Sequence, residues 1–174
     1  MKLSFRKLRA DEITCRVGQI KENGLTLLLY KDARCDMNIL DETVGAMNWK
    51  REHTRENRNC VVSIWDDDKQ QWVSKEDTGT ESNTEAEKGL ASDSFKRACT
   101  NWGIGRELYT APFIWVPSSK CDITKFRDKF KCSDKFSVAK IEYTDSGTIK
   151  NIAITNDSKR IVAFVTAKQG KKNE

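Results

Sequence analysis

The stretch NCVVSIW, residues 59–65, decides the fold of this chain. Its β-branched and apolar residues are typical of a strand, and the DDDK that follows at 66–69 is typical of a turn. Residues 71–75 then return as a partner strand, and residues 49–56 alternate loosely before it. Strands joined by short polar turns form an antiparallel meander with one buried face. The sequence therefore predicts three neighbouring antiparallel strands.

A long helix is predicted directly after this meander. The sequence SNTE at 82–85 is a capping box, with serine at the N-cap and glutamate three residues later. Gly103 ends the helix after Trp102. At about 100° per residue, one broad stripe is apolar, comprising Leu90, Ala91, Phe95, Ala98, Cys99 and Trp102. Lys96 and Arg97 fall outside this stripe, so on residues alone this is a core helix with a solvated charged face.

Shorter elements are predicted on both sides of the meander and its helix. They are a helix over 3–14, a strand over 25–30, a helix over Ala33–Val44 ended by Gly45, a strand over 113–116, a basic amphipathic helix or mobile segment over 120–135, and strands over 136–143, 148–155 and 160–166. The predicted class is α+β, with an antiparallel β-meander packed against a long helix as a β-β-β-α core. This core spans residues 1–117. A basic C-terminal segment with a β-hairpin follows over 118–174 and ends in a flexible tail at 168–174.

Charge is plentiful and unevenly distributed. Charged residues make up 33% of the 174 residues, above the roughly 25% typical of soluble proteins. The net charge is +5, yet residues 66–93 hold 3 basic and 9 acidic residues. Such asymmetry suits a polyanion on one face and solvent on another. No apolar run of about 18 residues and no apolar core of a signal peptide occur, so we expect a cytoplasmic protein that does not contact a membrane.

The sequence offers no pattern for catalysis, a metal or a cofactor. Six cysteines, at 15, 35, 60, 99, 121 and 132, include no CxxC pair, and His53 is the only histidine. A zinc site built from paired ligands and a serine-type triad are therefore not expected. No phosphate-binding GxxxxGK[ST] motif occurs. We expect reduced cysteines that serve mainly in packing, and a protein that is not an enzyme.

Two other functions remain open on the residues. A metal-dependent nuclease would use the acidic residues Asp66, Asp67, Asp68, Glu76 and Asp77 to hold Mg²⁺. Neighbours on a strand face opposite ways, which favours a solvated turn for these residues. The second alternative is an oligomeric protein-interaction module without enzymatic activity.

The sequence ASDSFKRACTNWGIGRELY, residues 91–109, carries a resemblance to a known family. Its acidic-small-apolar-Lys-Arg-Ala pattern resembles the helix signature of the Rad-fifty-two/Rad-twenty-two family of single-strand annealing proteins, in the phage and prophage branch. DEITCR at 11–16 is similar to an acidic-x-Ile-x-x-Arg element of that family. GAMNW at 45–49 is similar to its junction into the sheet, and 59–79 to its hairpin. The resemblance covers about residues 8–117.

This resemblance implies subunits that assemble side by side into rings or open helical oligomers. It implies ATP-independent binding and annealing of single-stranded DNA in homologous recombination or double-strand break repair. The DNA would run in a basic groove, with a recombination exonuclease or a single-strand binding protein as a further partner. Lys96 and Arg16 match the family's DNA-contacting positions, and the candidate DNA-binding residues are Lys96, Arg97, Arg16, Arg106, Lys50 and Arg51. The family's outer basic site is not expected here, because residues 76–81 read EDTGTE.

Overall fold

The computed structural model describes residues 3–80 and 86–166, with side chains for all of these except 86–88. Within them lie two α-helices, α1 (Ala33–Val44) and α2 (Ala86–Trp102). The strands are β1 (Thr14–Lys21), β2 (Gly24–Tyr30), β3 (Trp49–Thr54), β4 (Asn59–Asp66), β5 (Gln71–Thr78), β6 (Ile114–Pro117), β7 (Ile123–Phe126), β8 (Lys129–Cys132), β9 (Phe136–Tyr143), β10 (Ile149–Asn156) and β11 (Ile161–Thr166). Short 3-10 helices occupy Ala10–Glu12, Arg106–Thr110 and Ser118–Lys120. The predicted α+β class is confirmed.

The chain divides into two compact units that are not continuous in sequence. The first unit contains residues 3–7 and 32–106, and the second contains 8–31 and 107–166. This division differs from the boundary predicted after residue 117. The difference arises because β1 pairs with β9 and β2 pairs with β6, which joins an N-terminal hairpin to the C-terminal strands.

The first unit is a meander covered by a helix, in the predicted β-β-β-α order. Its strands pair antiparallel in the order β3-β4-β5, and α2 packs on β4 and β5. Alternate residues of β4 point to the helix, and both Cys60 and Val62 are fully buried there. Phe95, Ala98 and Cys99 supply the buried side of α2, so the predicted apolar stripe is the side that packs on the sheet.

Helix α1 begins and ends where its sequence predicts. The carboxylate of Asp32 accepts hydrogen bonds from the backbone N–H groups of Arg34 (2.8 Å) and Cys35 (3.0 Å), which satisfies two free donors of the first turn. Gly45 ends the helix at φ 85°, a conformation that favours glycine. Ile39 is fully buried.

The second unit is a six-stranded antiparallel sheet in the order β11-β10-β9-β1-β2-β6. Its edge strands β11 and β6 contact one another, so the sheet curls into a nearly barrel-like form. Leu25, Val116, Ile152 and Ile154 fill its interior and are fully buried. The predicted strands at the C-terminal end are confirmed as β9, β10 and β11.

The helix predicted over residues 3–14 is wrong. Only the 3-10 turn Ala10–Glu12 forms there, and Thr14 already begins β1. Strand β1 was not predicted, because its pairing with β2 shifts register between Val17 and Ile20. That irregularity interrupts the alternation of inward and outward residues by which a strand is recognised.

The basic amphipathic helix predicted over 120–135, with a mobile segment as its alternative, does not form. Strands β7 and β8 form a separate two-stranded hairpin there. A two-residue connection joins them, and Arg127 within it has φ 55°. The spacing of basic and aromatic residues in this segment resembles that of an amphipathic helix. In the structure the side chains alternate between the two faces of the hairpin with the period of a strand.

In the described ranges, no helix has both the length and the apolar character needed to cross a membrane. The predicted capping box at 82–85 and the predicted tail at 168–174 lie outside the described residues.

Candidate nucleic-acid interface

Helix α2 is held in one orientation on the meander. The buried ring of Phe95 stacks on Trp49 with 6.1 Å between ring centres. The indole N–H of Trp102 donates a hydrogen bond to the carbonyl of Val62 at 3.0 Å. Gly79, just after β5, lies against the helix backbone. These contacts fix which residues of α2 point away from the sheet.

Lys96 and Arg97 lie outside the buried stripe of α2, as predicted. The guanidinium of Arg97 pairs with the carboxylate of Asp77 on β5 at 3.4 Å, and this pair is partly exposed. Lys96 is half-buried, and within the described ranges no ion pair or hydrogen bond involves its ammonium group. Of the two cations, Lys96 is therefore the one whose charge is available to an anion.

Arg106 lies at the C-terminal end of α2. Its guanidinium donates hydrogen bonds to the carbonyl oxygens of Thr100 (3.0 Å) and Asn101 (3.1 Å). Carbonyl groups in the last turn of a helix lack partners within the helix, and a cation there also complements the helix dipole. The structure thus places Arg106 as a cap of the helix that carries Lys96.

Lys50 and Arg51 lie on opposite faces of the meander, because neighbours in a strand alternate. Arg51 is on the helix side, with its guanidinium 4.7 Å from the centre of the Phe95 ring. Lys50 is on the open side, where its ammonium lies 5.0 Å from the centre of the Trp72 ring and 3.3 Å from Glu52. These two predicted residues therefore belong to different surfaces.

Trp65, Trp72 and Lys50 form an aromatic platform on the open face of the meander. Trp65 and Trp72 are directly opposed in β4 and β5, and their rings meet edge to face with 5.5 Å between centres. Trp72 is 40% exposed, so part of an indole face is open to solvent. The sequence alone did not show which tryptophan is exposed, since that depends on which strand face the helix covers.

A second cation on the helix side was missed by the sequence reasoning. The ammonium of Lys75 lies 4.8 Å from the centre of the Trp102 ring and donates a hydrogen bond to the carbonyl of Asn101 at 2.9 Å. The strand alternation that places Asp77 towards α2 also places Lys75 there. The signal that could have found Lys75 is this alternation along the strand.

Arg16 belongs to the second unit, whereas the other five predicted residues belong to the first. It is exposed on β1, and its guanidinium lies 4.9 Å from the centre of the Tyr30 ring. Thr14 and Tyr30 are paired across β1 and β2, which places Arg16 on the same sheet face as Tyr30.

The acidic residues of the nuclease alternative point in different directions. The carboxylate of Asp66 accepts the backbone N–H of Lys69 at 3.2 Å, which lowers the pKa of Asp66. Asp67 accepts the indole N–H of the neighbouring tryptophan at 2.9 Å. Glu76 faces the open side of the meander and Asp77 the helix side. The described residues contain no group of three or more His, Cys, Asp or Glu side chains placed to hold a metal ion.

Thiol chemistry is disfavoured at the half-buried Cys15 and at the buried Cys60. Burial raises the pKa of Cys15 and that of Cys60 to about 11. A thiol with such a pKa is almost fully protonated at neutral pH, and the thiolate is the nucleophilic form.

His53 provides a direct check of the packing between β3 and α2. Its Nδ1 lies 3.5 Å from the Ser94 hydroxyl. Burial and then the positive charge of Arg51 lower the pKa of His53 below 6.5. Because His53 is the only histidine, a proton NMR titration should show one imidazole with a midpoint below 6.5 in the folded protein. The stabilisation that neutral His53 gives the folded state is complete above about pH 6.5. It is lost as the pH falls to the pKa of His53 in the folded protein.

The same titration in urea serves as the control for His53. The unfolded chain should return a midpoint near the ordinary histidine value of about 6.5. A folded midpoint at or above that of the unfolded chain would contradict the burial of this side chain against α2.

Comparison with protein-family models, curated proteins and solved structures found no match to this chain.

Proposed function

We propose that this protein binds single-stranded DNA and anneals complementary strands without ATP, in homologous recombination or double-strand break repair. The observation that carries the proposal is the repeated pairing of cations with aromatic rings. Within the described residues, seven Lys or Arg side chains lie within 6 Å of a ring centre. Of the rings involved, those of Tyr30, Trp72 and Phe126 are exposed to solvent, whereas that of Phe95 is fully buried.

Such surfaces suit single-stranded nucleic acid. Cations hold the phosphates irrespective of sequence, and aromatic rings accept bases by stacking. Annealing requires the backbone to be held while the Watson–Crick edges stay free for a second strand. Lys96 offers an ammonium that has no ion-pair partner in the described ranges, and the aromatic platform offers an open indole face. Neither group reads a base edge. Base pairing between the two DNA strands supplies the free energy of annealing, so no ATP-binding site is needed.

The resemblance at residues 91–109 supports the same function and adds the proposed assembly. In this proposal, copies of the chain associate into a ring or an open helical oligomer. The protein acts in the cytoplasm of a phage-infected or prophage-bearing cell. A recombination exonuclease or a single-strand binding protein supplies or covers the strands that it anneals.

Binding of a labelled oligothymidine, followed by fluorescence anisotropy over a salt series, tests this function. We expect binding without ATP or Mg²⁺. The logarithm of the observed association constant should fall linearly with the logarithm of the salt concentration, with a slope of about 0.7 per phosphate contacted. Absence of binding at low salt would refute the proposal. Degradation of the oligonucleotide on addition of Mg²⁺ would favour a nuclease instead.

Replacing Lys96 by alanine should weaken this binding equally for all sequences and reduce the salt slope by about 0.7, because one phosphate contact is lost. The thermal midpoint should not change, since the ammonium has no partner among the described residues. Lys21→Ala removes the same charge at the exposed end of β1 and is the matched control. Equal effects of the two substitutions would show that only net charge matters and would remove Lys96 from the interface.

A further inference from the structure

The hairpin of β7 and β8 is a basic and aromatic element that carries three of the seven cation–aromatic pairs. It forms a two-stranded sheet separate from the six-stranded sheet of its unit. Lys125 is paired with Phe130, and Phe126 with Lys129. Paired residues share a face, so each face of the hairpin combines a phenylalanine with lysine.

The charge of the hairpin is concentrated and exposed. Residues 123–132 hold four cations and one acidic residue, Asp128. The four cations, Lys125, Arg127, Lys129 and Lys131, are all exposed. No ion pair within the described residues neutralises them. This charge complements an anionic partner.

Phe126 gives the hairpin a second feature besides charge. Its side chain is 55% exposed, although exposure of a large apolar side chain to water is unfavourable. The ammonium of Lys131 lies 4.5 Å from its ring centre and the guanidinium of Arg127 lies 5.5 Å from it. An anion that binds these cations is therefore brought next to an aromatic face.

We propose that this hairpin is a contact for single-stranded nucleic acid, in which a base stacks on Phe126 and Lys129 and Lys131 hold the adjacent phosphates. The proposal rests on the proposed function, to which it adds a contact in the second unit. A base stacked on an aromatic ring is worth more than an exposed cation–π contact. The flexible lysine stem can consequently leave the ring for a phosphate when a base arrives.

The combination favours nucleic acid over an acidic protein segment. Carboxylates would engage the four cations and leave the phenylalanine ring exposed. A nucleotide offers a planar apolar base and an anionic phosphate within one residue, so it can engage the ring and the cations of this hairpin together. An anionic membrane surface also combines charge with apolar groups, and the experiment separates it.

The test compares three variants of the full chain for oligothymidine affinity and salt slope. Phe126→Ala should weaken binding about tenfold. The double variant Lys129→Ala with Lys131→Ala should lower the salt slope by about 1.4, for two phosphate contacts. Phe164→Ala is the matched control, because Phe164 is 64% exposed on β11 of the same unit, and it should bind like the wild type. Circular dichroism should show unchanged melting for all three.

Each outcome decides the proposal. Wild-type binding with no loss in either hairpin variant would overturn the hairpin contact and leave the proposed function standing. Absence of wild-type binding would overturn both. Two results would reveal a purely ionic surface and overturn the contact as stated. One is a loss of oligothymidine affinity in the lysine variant alone, and the other is that the hairpin variants lose as much affinity for polyglutamate as for oligothymidine. Loss of binding to anionic phospholipid vesicles with unchanged oligothymidine affinity would also overturn it, in favour of a membrane contact.

Discussion

Replacing Gly79 by alanine is expected to destabilise the protein by about 1–3 kcal/mol, the usual cost of forcing an extra carbon into a close-packed site. A Cβ at Gly79 would lie 2.6 Å from the backbone nitrogen of Ser94 and 2.9 Å from the backbone oxygen of Leu90. Both atoms belong to helix backbone, which cannot rotate away as a side chain can. The helix would have to move from β5, and a lower urea midpoint would report it.

Gly18→Ala is the matched control for this prediction. A Cβ at Gly18 would meet the hydroxyl of Thr26 at 2.9 Å and a carbon of Leu28 at 3.3 Å. Both are side-chain atoms, and the main cost of moving them is the hydrogen bond that the Thr26 hydroxyl accepts from the Gln19 N–H. The loss of stability should therefore be smaller than for Gly79→Ala. Equal midpoints for the two variants would contradict the close approach of α2 to the end of β5.

Replacing Trp72 by alanine is expected to weaken oligothymidine binding about tenfold. The reason is that one stacked base contributes about 1–3 kcal/mol, and Trp72 is the half-exposed member of the aromatic platform. Its removal also frees the Lys50 ammonium from the ring, which does not compensate for a lost stacking surface. Fluorescence anisotropy with the same oligonucleotide measures the effect.

Trp72→Phe is the control that keeps an aromatic ring at this position. It should retain most of the affinity, whereas a loss as large as that of the alanine variant would indicate a structural role for the indole. Unchanged affinity of Trp72→Ala, with the protein folded, would remove the open face of the meander from the interface.

The sequence predicted the parts of the fold whose patterns are local. The meander follows from apolar runs and polar turns, and the extent of α1 follows from its helical pattern and the stop at Gly45. Strand β1 did not follow, because its register shift near Gly18 interrupts the alternation on which recognition depends. The hairpin of β7 and β8 was not predicted, because its pairing depends on contacts between the two strands. Its lysines also obscure the alternation of inward and outward residues that is typical of a strand.

The candidate site was predictable only in part for the same reason. Helical spacing places Lys96 away from the buried stripe, and the structure agrees. Strand alternation alone predicts that Lys50 and Arg51 face opposite ways. Which of their faces is open, and which ring each cation contacts, depends on the position of α2 over the sheet. That position is a tertiary property that no local pattern encodes.

The measurement that tests the central claim most directly is the annealing of two complementary labelled oligonucleotides without ATP, with the mass of the protein measured in the same solution. The account predicts annealing well above the spontaneous rate by an oligomer much heavier than the 19.9 kDa chain. It also predicts slower annealing by the Lys96→Ala and Trp72→Ala variants. Annealing at the spontaneous rate, by a protein with the mass of a single chain, would contradict it.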